Sequence, residues 1–389
     1  MELLLYLYIL IVVYLFLKYS RIRTLYIFSP YILIYLNFIF NDAIPFLFFY
    51  PDVPENIQYT TFTAAIINLS FLFLFRKQAQ VPISINLPLS SIKLNKKRKI
   101  LLSCFVFFLL WAGVMSGVLI NLLRGNNIED LRRTSEIGVG VIRDIPMLGI
   151  QIIMLVLFLQ KTWKCYYKVV AFYSFCLSVF LFLTTGNKGG VLVGVTLFLL
   201  FFHLKKRGFK WYEYVLYYLA MPLAAGTLQG IRGGDLTLIA SQIAVFFSYP
   251  VILYQANSIP IMNAVGTENF FWGEEYYTGL VKFIPRFLWP DKPLSFDYKL
   301  KELANYDFEG GGIYTTLCND LYINFGYYYF IFYILWLLFI HYLYGMVMDD
   351  KRFYYSRIIA LFIILMGGIA STIGSCEILI LYYSRVKTL

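Results

Sequence analysis

Lys188 lies in "TTGNKGG" and Arg232 in "QGIRGGD", each a cation framed by glycines. Glycine lets a backbone turn sharply and approach a ligand closely. An ammonium or guanidinium group held there suits phosphate oxygens, which arginine can bind through two parallel bonds. More cations follow the same logic: Arg132 and Arg133 in "RGNNIEDLRRTSEIGVGVIRD", and Arg286 and Lys292 in "VKFIPRFLWPDKPLSF". The second of these stretches carries Pro285, Pro290 and Pro293, a density no regular helix tolerates. Its Phe283, Phe287 and Trp289 are equally foreign to a solvated linker, so it reads as a rigid aromatic elbow. From 229 to 320 the chain gathers ten of its 22 acidic residues among many aromatic ones, Glu275 and Trp289 included. Carboxylates accept from sugar hydroxyls while flat rings cover sugar C–H faces. Taken singly, each group has a plainer reading as a snorkelling cation, a turn glycine or an interfacial aromatic belt. Together they describe a pocket for a pyrophosphate-linked sugar on a lipid.

The elements that position these groups are membrane helices. Of the 389 residues 60% are hydrophobic, 20% aromatic and 14% charged, where soluble domains carry about 25% charge; the mean hydropathy is +0.69. Apolar runs predict spans near 2–18, 22–40, 58–75, 100–123, 145–160, 169–185, 189–204, 212–228, 321–345 and 357–383. Five connections hold 20 of the 33 basic residues: 18–23, 76–99, 161–168, 205–210 and 351–357. The positive-inside rule puts these in the cytoplasm, and with them most of the net charge of +11. The connections 41–57, 124–144, 186–188 and 229–320 then lie outside. The apolar segment 236–255 cannot cross once without breaking that parity, so it is expected in or on the outer interface. The expected fold is thus an all-α polytopic membrane protein of about ten to twelve spans. Residues 1–228 form helices with short loops, 229–320 an extracytoplasmic catalytic loop, and 321–389 the C-terminal helices. A connection that long is structured and functional by expectation. No soluble basic face for nucleic acid exists. The first run lacks the basic start and small-residue cleavage site of a signal peptide. The five scattered cysteines suggest apolar packing rather than a disulfide or metal framework.

"FIPRFLWPDKP" (283–293), followed by "CNDLYINFG" (318–326) leading into a span, resembles the bacterial oligosaccharide repeat-unit polymerases, the Wzy-type enzymes. "LTTGNKGG" (183–190) is similar to a glycine-flanked basic motif of that family and of the related O-antigen ligases. The resemblance covers roughly 180 to 345. It implies a GT-C-like glycosyltransferase in the cytoplasmic (inner) membrane. Such an enzyme moves a growing glycan from undecaprenyl pyrophosphate to a hydroxyl of an incoming lipid-linked repeat unit, building O-antigen, capsule or a related surface polysaccharide. A chain-length regulator is a natural partner. The reaction needs a base for the acceptor proton, cations for the leaving pyrophosphate, and alignment of both substrates. Arg232 and Arg286 fill the cation role first, then Lys188, Arg132 and Arg133, with Lys292, Glu275 and Trp289 as further pyrophosphate and sugar contacts. His203 and His341 fall near the cytoplasmic side, unlike the outer histidine of the ligases. The family motif, which carries an acid before its Tyr…Asn-Phe-Gly turn, implies Asp320 as base. Its plainer role is a helix cap. Asp307 and Glu309 form a D-x-E pair, a poor metal signature by itself, and neither a metal nor a cofactor is expected. The alternatives are an O-antigen ligase and, from another class, a flippase or transporter of lipid-linked oligosaccharide.

Overall fold

A computed structural model describes residues 2–20, 30–75, 250–281, 288–293, 296–306 and 315–349, with Thr227, Ser248, Ile284 and Ile313 as isolated positions. The described residues are mostly helical and contain no strand. They form α1 (Glu2–Ser20), α2 (Pro30–Phe38), α3 (Ile44–Phe49) and α4 (Glu55–Leu74), then α5 (Ile259–Val265), α6 (Glu274–Val281), α7 (Phe296–Leu303), α8 (Leu317–Phe325) and α9 (Tyr329–Asp349). Two stretches, Glu55–Leu74 and Leu317–Leu343, are long and apolar enough to cross a membrane.

The sequence explains these helices by composition more than by periodicity. On α4 the buried side chains include Asn56, Thr60, Thr61, Ala64, Ala65 and Asn68, while Ile66, Phe73 and Leu74 face outward. Ile57, Phe62, Ile67, Phe71 and Leu72 are buried beside them, so polar and apolar groups share the inner face. Small and polar residues on the inner face let neighbouring helices approach closely and hydrogen-bond. α9 uses that face: Tyr329 donates its hydroxyl to the Thr60 carbonyl (2.7 Å) and Tyr333 donates to Asn68 Oδ1 (2.9 Å). At the far end the Phe75 ring lies 4.0 Å from the His341 ring.

One expected boundary moves. The expected span near 22–40 ends in a connection from 41 to 57. Instead α2 continues through a π turn (Ile39–Ala43) into α3, and the chain leaves helix only at Tyr50. The reason is burial: Asp42 is 3% exposed and faces the bundle. At the end of the 236–255 segment Tyr254 is buried and stacked on Phe49, while Ile252 and Gln255 are exposed. The rest of that segment up to 249, Ser248 apart, lies outside the described residues.

The loop helices are tied to this bundle by side chains at its end. Asn56 of α4 donates to the Met262 and Gly266 carbonyls at 2.6 and 3.3 Å, and the Tyr322 hydroxyl donates to the same Gly266 carbonyl at 3.2 Å. α7 joins α6 through the Lys299–Glu274 ion pair, and the turn before α6 through the edge-to-face contact of Phe296 with Phe271.

Candidate functional site

The site begins at the N-terminus of α8. Thr316 caps it: its hydroxyl accepts from the Asn319 N–H. Asp320 sits one turn inside, its Oδ1 accepting from the Thr315 hydroxyl at 3.3 Å. Asp320 is therefore not the cap. One turn further on the same face, Asn324 is fully buried. Its Nδ2 donates to the Asp320 carbonyl (3.0 Å) and to Glu275 Oε2 on α6 (2.8 Å). Asn324 thereby joins the two carboxylate-bearing residues, 45 positions apart in sequence, across a helix pair.

Tyr276 completes the group. Its ring stacks on Phe325 at 5.7 Å, and its hydroxyl is buried with no hydrogen-bond partner. Burial first, then the Asp320 and Glu275 charges, push its phenol well above the usual tyrosine range, so it stays protonated. A neutral hydroxyl beside two carboxylates can donate to a ligand oxygen while a carboxylate accepts a ligand proton. Asn324 Oδ1 is also buried without a partner.

The backbone before α6 is strained to fit. Trp272 has φ +50 and Gly273 φ +84, and a left-handed tryptophan is a rare conformation. Phe271 N–H bonds to the Ile323 carbonyl at 3.1 Å, strapping this turn to α8. Trp272 is left 68% exposed, three residues from Glu275, with Phe270 edge-on at 6.2 Å. Gly326 at the end of α8 has φ +57, and a Cβ there would come within 2.6 Å of the Phe270 ring. The aromatic turn and the helix end thus fit only around glycine.

In the elbow, the Lys292 N–H closes a turn on the Trp289 carbonyl (3.2 Å), and Lys292 Nζ donates to the Ile284 carbonyl (2.9 Å). Trp289 is half-buried beside Pro290. Of the residues anticipated from sequence, Asp320 and Glu275 come together, while Trp289 and Lys292 build the elbow. Lys188, Arg132, Arg133, Arg232, Arg286, Asp307 and Glu309 lie outside the described residues. Asn324 and Tyr276 were not anticipated. Asn324 carried a signal, since it follows Asp320 by four positions and so shares its helical face. Tyr276 carried none in a chain with 34 tyrosines. Among the described residues no three His, Cys, Asp or Glu side chains gather to hold a metal. Comparison with protein families, curated proteins and solved structures finds no match to this chain.

Proposed function

We propose that the chain is a polytopic, GT-C-like glycosyltransferase of the cytoplasmic membrane that polymerises undecaprenyl-pyrophosphate-linked oligosaccharide repeat units. The observation that carries this reading is the Asp320–Asn324–Glu275 arrangement, in which Asn324 bonds the Glu275 carboxylate and the Asp320 backbone carbonyl beside a protonated tyrosine that feels both charges, at the start of a membrane-length helix. In the reaction Asp320 takes the proton of the acceptor hydroxyl as its oxygen attacks the anomeric carbon. The bond from that carbon to the pyrophosphate oxygen breaks, and Arg232 and Arg286 receive the charge. Glu275, Tyr276 and the exposed Trp272 hold the sugar. The outward-facing Ile66, Phe73 and Leu74 of α4, with polar residues buried opposite, support a lipid-facing exterior.

One observation favours a second reading, a transporter of lipid-linked oligosaccharide. Asp42, Asn68 and Asn319 are polar groups buried between helices, and such groups mark pathways in transporters. Purified protein given lipid-linked repeat units separates the readings. A polymerase lengthens the glycan without another acceptor, a ligase requires lipid A–core, and a transporter leaves the glycan unchanged.

A further inference from the structure

α9 sets a depth for the loop helices. Its 21 residues rise about 31 Å in all, which matches a hydrocarbon core of about 30 Å. Ile331, Leu335, Leu338 and Tyr342 form one exposed apolar face along it. Tyr327 and Tyr328, just before its first turn, are exposed as well, and tyrosine favours the boundary between headgroups and acyl chains. The start of α9 lies at that boundary when the helix crosses.

Phe332 ties α6 to the same level. Its ring, in the first turn of α9, stacks on Phe325 with centroids 3.6 Å apart. Phe325 stacks in turn on Tyr276 of α6 at 5.7 Å. Gly273 lets the chain lie against Phe325 too, since a Cβ there would stand 3.5 Å from that ring. Three stacked rings thus run from the outer side of α9 to α6.

On α6 the groups that water would solvate have protein partners. Glu274 pairs with Lys299, and Glu275 accepts from Asn324. Thr278 is buried and donates to the Glu275 carbonyl. Outward stand Tyr277 and Leu280, 49% and 55% exposed. Exposed Ile284 extends this edge: its N–H bonds to the Val281 carbonyl at 3.0 Å, and positions 277, 280 and 284 repeat with helical spacing. Such an apolar row, left outside while the carboxylates find partners, marks a contact with something other than water.

We propose that this edge of α6 rests in the lipid bilayer, at the headgroup–acyl boundary beside the start of α9. Lipid is the occupant because the stacked rings make the edge continuous with the apolar exterior of a membrane-length helix. Glu275 and Tyr276, on the same helix, are thereby held at the depth of the headgroups, where a lipid-borne substrate presents its polar part. The proposal rests on α9 crossing the membrane and not on the glycosyl transfer.

The test uses the purified full chain, one copy per lipid nanodisc, with its five native cysteines replaced by alanine. A nitroxide is placed on one introduced cysteine at a time. Oxygen partitions into lipid and a neutral nickel chelate into water, so the ratio of their collisions with the label reports its surroundings. Tyr277→Cys, Leu280→Cys and Ile284→Cys should each give a ratio at least about threefold above that of Glu302→Cys, at an exposed position of α7. Leu335→Cys on α9 should also give a high ratio. Ratios at 277 and 280 equal to that at 302, with Leu335→Cys still high, overturn the proposal and leave the span standing. A low ratio at Leu335→Cys removes the span and overturns both. If the cysteine-free chain fails to fold, benzoylphenylalanine in place of Tyr277 in the otherwise native chain carries the test in phospholipid vesicles. Irradiation should crosslink it to phospholipid. Crosslinking to a second copy instead, or to nothing, overturns the proposal.

Discussion

The hydroxyl of Thr316 satisfies the Asn319 N–H at the start of α8, so the helix end does not depend on the Asp320 carboxylate. Thr316→Ala should accordingly lower stability by about 1 kcal/mol, as N-cap losses do, read as a shift in thermal melting. At Tyr276 the pH dependence has a definite sign. Burial, Asp320 and Glu275 raise its folded-state pKa above the usual 10.0. Its contribution to stability is whole below that value. It is lost as pH rises from there towards the folded pKa, because only the unfolded chain ionises first. Tyr276→Phe should soften the alkaline loss of stability in part and leave melting at neutral pH unchanged or higher, since it deletes an unpaired buried hydroxyl. Glycan lengthening should fall in the same variant. At this scale Asp320 and Glu275 were legible as acids in an aromatic loop. Their bridge through Asn324 was not, because nothing in sequence brings 275 to 324.

Gly326 joins two elements. It ends α8 with φ +57 and lets the Phe270 ring lie where a side chain would otherwise stand. Gly326→Ala combines a left-handed alanine with a clash, and should cost on the order of 1–3 kcal/mol, measured by thermal melting. The site turn at Trp272 should loosen with it, because Phe270 packs against both. Helices were readable from apolar runs wherever composition alone decides, as in α1 and α9. Their ends were less so. The span near 22–40 was expected to stop at residue 40, yet Asp42 is buried within the continuing helix. Polar residues do not by themselves mark a helix end here, since α4 also buries Asn56, Thr60, Thr61 and Asn68.

For the whole molecule, the proposed topology puts the segment from 229 to 320 outside the cell membrane. Cys318 is fully buried and should be silent to an impermeant maleimide. Glu268→Cys and Glu302→Cys, at exposed positions, are the informative probes. Both should label in intact cells, or in spheroplasts if an outer membrane is present; protection of both until permeabilisation contradicts the orientation. The two helices long and apolar enough to cross a membrane were legible from composition, and the cations proposed for pyrophosphate rest on sequence alone. The central claim is that Asp320 takes the acceptor proton in glycan polymerisation. It is tested most directly by the rate at which purified wild-type and Asp320→Asn proteins, at matched amounts, lengthen a lipid-linked repeat unit. Asparagine keeps the size and hydrogen-bonding shape of the side chain but cannot take a proton. The account predicts lengthening by the wild type, a loss of about 10²- to 10⁴-fold in Asp320→Asn with melting unchanged, and partial activity in Asp320→Glu. Equal lengthening by the wild type and Asp320→Asn, or none by the wild type, would contradict it.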